Sequence, residues 1–270
     1  MLRRPPAAGL TAAAALLAAV ALPAVSPSAV SLPAARASQA VCGMSAVTVS
    51  AGSYVVQSNE YGSRAPQCVT ADGGADFAVT VSGVSAPTDS MPAGYPSIYA
   101  GCHWGRCTST GLGTSPVRVS ALRAGTVTTT WVTAGPWPRG GAWDASYDIW
   151  FDSTPRPAAP DGVEMMLWLR RSGPVTPAGA RAARGVRVGG MTCDIWWRPP
   201  SGGSLGTVSY VLTRPRSAVY GLRIAALARN AAARGYLRPW WYLADIEAGF
   251  ELWRGGKGLQ TRDFSVTVRR

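Results

Sequence analysis

Tyr147-Asp148-Ile149-Trp150-Phe151-Asp152, followed after a ten-residue break by Val163-Glu164-Met165-Met166-Leu167-Trp168, decides the fold. Side chains alternate across a β-strand. Asp148, Trp150 and Asp152 therefore share one face of the first stretch, and Glu164, Met166 and Trp168 share one face of the second. The alternate positions of both are apolar or aromatic. That pattern belongs to a strand with one face in a core and the other exposed to water. A carboxylate beside tryptophans is costly unless that face is a wet groove or the charge is paired.

The same period-two pattern recurs outward along the chain. It predicts strands over Ser53–Ser58, Phe77–Ser82, Thr126–Val132, Ser146–Asp152, Val163–Arg170, Thr192–Trp197 and Thr207–Leu212. Gly, Pro, Ser and Asp clusters separate them at 71–74, 83–94, 134–141, 153–162, 172–179 and 198–206. One helix stands out near 224–231. Ile224, Leu227, Ala228 and Ala231 fall on one face, Arg223 and Arg229 point elsewhere, and Gly235 can cap its end. No strand–helix–strand alternation or internal repeat is present. The expectation is an all-β fold: a jelly-roll sandwich of two antiparallel sheets with a concave substrate cleft and one short helix.

Composition supports one folded domain. The 270 residues are 47% hydrophobic and 15% charged, which excludes a disordered chain. The formal charge is +12, with 26 basic residues of which only Lys257 is a lysine. The arginines are scattered and form no dense basic helix, so no nucleic-acid partner is expected. Residues 1–37 read as a secretory signal. Arg3 and Arg4 form its positive start, Leu10 to Val25 its apolar run, and Ala35-Arg36-Ala37 its cleavage pattern. Thr11 and Pro23 interrupt the run, which is too short for a membrane span. Cleavage after Ala37 is expected to leave 38–270 as a single, secreted domain. It removes three of the 26 basic residues and no acid, leaving 23 against 14, or +9. The product is expected to be an extracellular monomer with no membrane partner.

Export permits disulfides. The cysteines are 42, 68, 102, 107 and 193. A bridge could close the short loop Cys102-His103-Trp104-Gly105-Arg106-Cys107. A Cys42–Cys68 bridge would close 27 residues around a predicted strand, which stabilises by roughly 3 kcal/mol on the chain-entropy model. Cys193 is left over. With one histidine, His103, and no zinc spacing, neither a metal nor a cofactor is expected.

Acidic residues are scarce, so those inside strands are informative. Glu247, Gly249, Glu251 and Trp253 also fall on one face if the chain there is extended. Flat indoles suit sugar rings, and paired carboxylates suit cleavage of a glycosidic bond. Glu60 completes the four glutamates. A lectin on the same fold is the rival reading, but a lectin needs no such pair.

Ordered motifs carry a resemblance over residues 42 to 268 to glycoside hydrolase family 12, the compact jelly-roll endoglucanases and xyloglucanases. Tyr54-Val55-Val56-Gln57-Ser58-Asn59-Glu60-Tyr61-Gly62 resembles the family's first cleft strand. The Cys102 to Cys107 loop resembles its short disulfide loop, and both bridges fit. Tyr147 to Asp152 is similar to its Tyr-Asp-Ile-Trp strand, and Glu164 to Trp168 to its nucleophile strand. Gly249-Phe250-Glu251-Leu252-Trp253-Arg254-Gly255-Gly256-Lys257-Gly258-Leu259 resembles its acid/base strand.

The resemblance implies a retaining enzyme on β-glucan: cellulose, mixed-linkage glucan or xyloglucan. It implies Glu164 as nucleophile, Glu251 as acid/base and Asp148 as a carboxylate orienting the nucleophile. It implies Asn59, Tyr61, His103, Trp104, Trp150, Met166, Trp168, Trp196 and Trp253 as sugar-binding residues. Three departures matter. Tyr61 stands where tryptophan is common, Cys193 where relatives often carry a stacking tryptophan, and Glu247 where glutamine is common. Glu247 is the rival for the acid; along an extended strand it sits about 13 Å from Glu251, further along the cleft or at the rim, with arginine as a candidate partner.

Overall fold

The computed structural model describes residues 1–2 and 38–269. The leader expected over 1–37 thus falls, after its first two residues, outside the described residues. No helix among the described residues is long and apolar enough to cross a membrane.

Eighteen strands form among the described residues. The first nine are β1 (Gln39–Cys42), β2 (Ala46–Val49), β3 (Tyr54–Gln57), β4 (Gln67–Ala71), β5 (Phe77–Ser82), β6 (Ser97–His103), β7 (Arg106–Cys107), β8 (Val117–Arg118) and β9 (Val127–Ala134). The rest are β10 (Ala142–Asp152), β11 (Val163–Ser172), β12 (Ala180–Val188), β13 (Met191–Arg198), β14 (Gly206–Leu212), β15 (Ala218–Arg223), β16 (Tyr242–Gly249), β17 (Leu252–Arg254) and β18 (Gln260–Val268).

They make two sheets. The smaller runs β1-β4-β5-β18-β9-β15 and the larger β12-β13-β14-β11-β10-β16-β6-β3-β2, with β7, β8 and β17 at its margins. Every pairing is antiparallel but one: β11 runs parallel to β14. A parallel pair needs a crossover, and β12 and β13 supply it. Two short helices form rather than one. α1 (Gly111–Thr114) is a single turn capped by the Thr110 side chain, which accepts the Gly113 N–H. One turn carries no readable period. α2 (Ile224–Ala233) is the expected helix, with Ile224, Leu227, Ala228 and Ala231 buried.

The core lies between the sheets. Tyr147, Ile149 and Phe151 of β10 and Met165 and Leu167 of β11 turn inward to meet Trp131 of β9, Phe77 of β5 and Phe264 of β18. The Trp131 and Tyr147 rings meet edge to face at 5.3 Å. Full burial of each large apolar side chain contributes about 1.5–3 kcal/mol. With one face of β10 and β11 fixed in this core, the other must face the cleft.

Both expected disulfides are present. Cys42–Cys68 staples β1 to β4, and Cys102–Cys107 closes the β6–β7 hairpin. Cys193 is free and buried in the core. It faces away from the cleft, so its presence removes no sugar platform.

Candidate active site

Strand register assembles the site. Across the larger sheet, one rung reads Arg198, Thr207, Glu164, Trp150, Asp245 and Gly101. The next reads Trp196, Ser209, Met166, Asp148, Glu247 and Tyr99. A third places Trp168 beside Ser146 and Gly249. These residues share one face because cross-strand partners point the same way. Gly101 is needed where β6 meets β16: its φ is +122°, and a Cβ there would lie 2.5 Å from the Asp245 Cα.

The face floors a cavity of about 990 Å³. Glu164, Glu251 and Asp148 all line it, as do Asn59, Tyr61, His103, Trp104, Trp150, Met166, Trp168 and Trp253. Trp168 and Trp253 stand 6.4 Å apart with tilted rings. Of the aromatic residues lining the cavity, Tyr61 and Trp104 present the most open surface, at 45% and 61% exposure. Trp196 does not line the cavity. It lies on the second rung further out, beneath the Arg181 guanidinium. Trp197 points to the opposite face and stacks on Tyr236. Asp152, expected beside Asp148 and Trp150, is the last residue of β10 and accepts the Asp161 N–H at 2.7 Å, so it anchors the loop that follows the strand.

Glu164 is held by defined donors. Its Oε2 accepts the Thr207 hydroxyl at 3.0 Å. Arg198 Nη2 donates to the same Thr207 oxygen at 2.8 Å. A guanidinium can only donate, so the Thr207 hydroxyl must accept from Arg198 and turn its proton to Glu164. Burial raises the Glu164 pKa, while the Thr207 hydrogen bond, the Arg198 charge and a hydrogen bond from Asp148 pull it back. Asp148 itself is pushed well above the usual carboxylate range, by burial first and then by Glu164, Glu251 and Glu247. That shift favours its protonated form, which can donate to Glu164.

Glu251 occupies a break between β16 and β17 rather than a continuous strand. The flanking pairs Ser146–Gly249 and Trp143–Leu252 set it opposite Asp144, and the Asp144 N–H donates to the Glu251 carbonyl at 3.0 Å. Burial raises the Glu251 pKa well above the usual range, reinforced by Asp144 and then by Glu164. The two glutamates thus differ: one is furnished with donors and a cation, the other surrounded by negative charge.

Glu247 has other partners. It makes an ion pair with His103 Nδ1 at 2.8 Å and accepts from Ser97 Oγ at 2.9 Å and Gln57 Nε2 at 3.1 Å. Its cation is a histidine, not an arginine. His103 Nδ1 also lies 3.1 Å from Asp245. Burial opposes the charge on His103, but Glu247 and Asp245 outweigh it and hold its pKa at about 11. The three side chains have donor atoms within 4.8 Å of one another, as metal ligands do. Nδ1 faces both carboxylates, however, and they keep a proton on the ring, which opposes ligation through that atom.

Asp144, Asp245 and Thr207 were not singled out from sequence. Asp144 had a readable signal: it lies four residues before Asp148, on the same strand face. The partnerships of Asp245 and Thr207 depend on register between distant segments.

Comparison with known proteins places the chain in a family. Residues 52–269 match the sequence model of glycosyl hydrolase family 12. The chain is 33% identical over 132 residues to the probable cellulase Cel12b of Mycobacterium tuberculosis, covering 49% of this chain and 85% of that protein. Among solved structures, endoglucanase cel12A from Rhodothermus marinus superposes with a TM-score of 0.77 at 37% identity, covering 86% of this chain and 99% of that one. A metagenome-derived family 12 endoglucanase superposes with a TM-score of 0.78 at 35% identity, covering 87% and 99%.

Proposed function

The chain belongs to glycosyl hydrolase family 12, and from that premise we propose that it cuts within the backbone of unbranched β-1,4-linked glucans, cellulose or mixed-linkage glucan, with Glu164 and Glu251 as its catalytic pair. It is a retaining glycoside hydrolase of the endoglucanase type, acting on β-glucans. The finer substrate reading is supported by the cellulase and endoglucanase named among relatives above 30% identity.

Glu164 attacks the anomeric carbon through its carboxylate. The glycosidic bond breaks, and its oxygen takes the proton of Glu251. A glycosyl ester on Glu164 results. Glu251, now ionised, removes a proton from water, and the water oxygen displaces Glu164 from the anomeric carbon. Two displacements restore the β-configuration. Asp148 and Thr207 hold the attacking carboxylate, and Arg198 fixes the direction of the Thr207 hydroxyl. Trp150, Trp168 and Trp253 offer indole surface for sugar rings, with Tyr61 and Trp104 toward the mouth of the cleft.

One observation carries the reading. Two half-buried glutamates share a cleft, and their surroundings favour ionisation of Glu164 relative to Glu251. That asymmetry is what a nucleophile and a general acid require. The paired disulfides suit an oxidising compartment, which supports export with 38–270 as the mature catalytic domain.

The test is a panel of carboxymethyl cellulose, mixed-linkage β-glucan and xyloglucan. Reducing ends should appear from the first two together with a rapid fall in viscosity, and early NMR spectra should contain the β-anomer. Binding without reducing-end release would overturn the assignment of the pair. Preference for xyloglucan would overturn the substrate reading.

A further inference from the structure

Asp144 is a fully buried cleft-face carboxylate of β10 that the double displacement does not use. Neither of its oxygens receives a hydrogen bond in good geometry from an N–H or hydroxyl group. The Ser146 hydroxyl eases the charge on Asp144 only as a weak, shared partner, since it also makes a 3.5 Å contact to Asp148. Arg171 faces Asp144 across the β10–β11 ladder, but its Nη1 is engaged with the Val175 carbonyl. A buried carboxylate without a donor is expensive. The group set opposite it by register is Glu251: its carbonyl accepts the Asp144 N–H at 3.0 Å, and its carboxyl lies near enough to influence the Asp144 charge directly.

We propose that Asp144 is a positioning residue for the catalytic proton: its carboxylate accepts the Glu251 O–H and holds that proton on Glu251 between turnovers. The proposal rests on Glu251 as the acid/base.

The groups around the pair agree with it. Asp148 on β10 and Glu164 on β11 add negative charge, and Arg171 on β11 is turned away. The phenols of Tyr61 and Tyr95 face the same carboxylates from the segments after β3 and before β6. Arg198 acts on Glu164 and engages Thr207. Among the described residues no guanidinium makes an ion pair with Asp144 or Glu251, so a proton is the pair's means of relieving charge.

The consequence follows the reaction. Before bond cleavage, an ionised Asp144 disfavours ionisation of Glu251 and keeps the acid loaded. Once Glu251 has given its proton to the leaving oxygen, two carboxylates stand against each other. That repulsion strengthens Glu251 as the base that takes a proton from water. The proton so gained restores the pair.

The sign is fixed. Removing the Asp144 charge lowers the pKa of Glu251, so the acid is lost at lower pH. In Asp144→Asn the basic limb of the kcat/KM profile on mixed-linkage β-glucan should move down by about one pH unit or more, while the acidic limb moves less. A folded Asp144→Asn protein with the wild-type basic limb would overturn the proposal. If that variant does not fold, the wild-type protein decides with carboxyl-¹³C glutamate and aspartate labelling. Glu251 and Asp144 should titrate as a coupled pair in two steps, with the Asp144 step becoming single in Glu251→Gln. A Glu251 signal titrating alone in the ordinary carboxylate range would overturn it. Failure of the underlying reading looks different: Glu251→Gln would keep more than about a tenth of polymer turnover.

Discussion

Two carboxylate clusters, buried or half-buried, stand side by side on the cleft face, and they are built on opposite plans. At β6 and β16, Asp245 and Glu247 surround the charged His103, and Gln57 and Ser97 complete the donors around Glu247. At β10, β11 and the break after β16, Asp144, Asp148, Glu164 and Glu251 crowd together, with Arg198 and Thr207 serving Glu164 alone. The first cluster holds a resident cation against its two carboxylates, although burial still pushes Asp245 up to about 8. The second is short of cations, so protons settle on Asp148 and Glu251 and can be moved. Burial is common to both; the supply of fixed positive charge separates scaffold from chemistry.

The largest effects should come from the proton-bearing cluster. Glu164→Gln and Glu251→Gln should each lower initial rates of reducing-sugar release from polymer by about 10²–10⁴-fold. Neither should lose much thermal stability, because each relieves crowding of buried charge. Retention of more than about a tenth of wild-type turnover by either would break the contrast.

The histidine cluster should respond in the opposite currency. His103→Leu strands Asp245 and Glu247 without their cation and should cost about 3–5 kcal/mol of unfolding free energy, read by denaturant titration. The pH dependence has a definite sign. The His103 pKa is about 11 in the folded protein against 6.5 ordinarily, so its stabilisation is complete below about 6.5 and fades as pH rises toward 11. Wild-type stability should carry that alkaline decline, and the variant should lack it.

The contrast was only half legible in the sequence. β10 and β11 declared themselves because core and cleft faces alternate without interruption, and Glu164 and Asp148 came with them. Edge strand β12 did not, since Ala180–Val188 is exposed along most of its length and has no core face to write a period. Glu251 was read as part of a continuous strand with Glu247. The break at Phe250 and Glu251 sets it opposite Asp144, a partnership that same-strand periodicity does not express. His103 and its acids come from β6 and β16, more than a hundred residues apart, so only the fold joins them.

A smaller effect should sharpen the division within the second cluster. Thr207→Val removes the hydroxyl donated to Glu164 and should raise the acidic limb of kcat/KM by about one pH unit, leaving the basic limb in place. Movement of the basic limb instead would reverse the assignment of the two glutamates. The smallest effect should be that of Glu247→Gln. Gln57 and Ser97 can still donate to the amide oxygen, and Asp245 still pairs with His103. Turnover should stay within about threefold of wild type, since the residue lends no proton to the reaction, with a modest loss of thermal stability.

The most direct measurement is to trap the intermediate. A 2-deoxy-2-fluoro cellobioside with a good leaving group should inactivate the enzyme stoichiometrically, and peptide mapping by mass spectrometry should place the added sugar on Glu164. A label on Glu251 or Glu247, or early release of α-anomeric product from β-glucan with no trapped ester, would contradict the account.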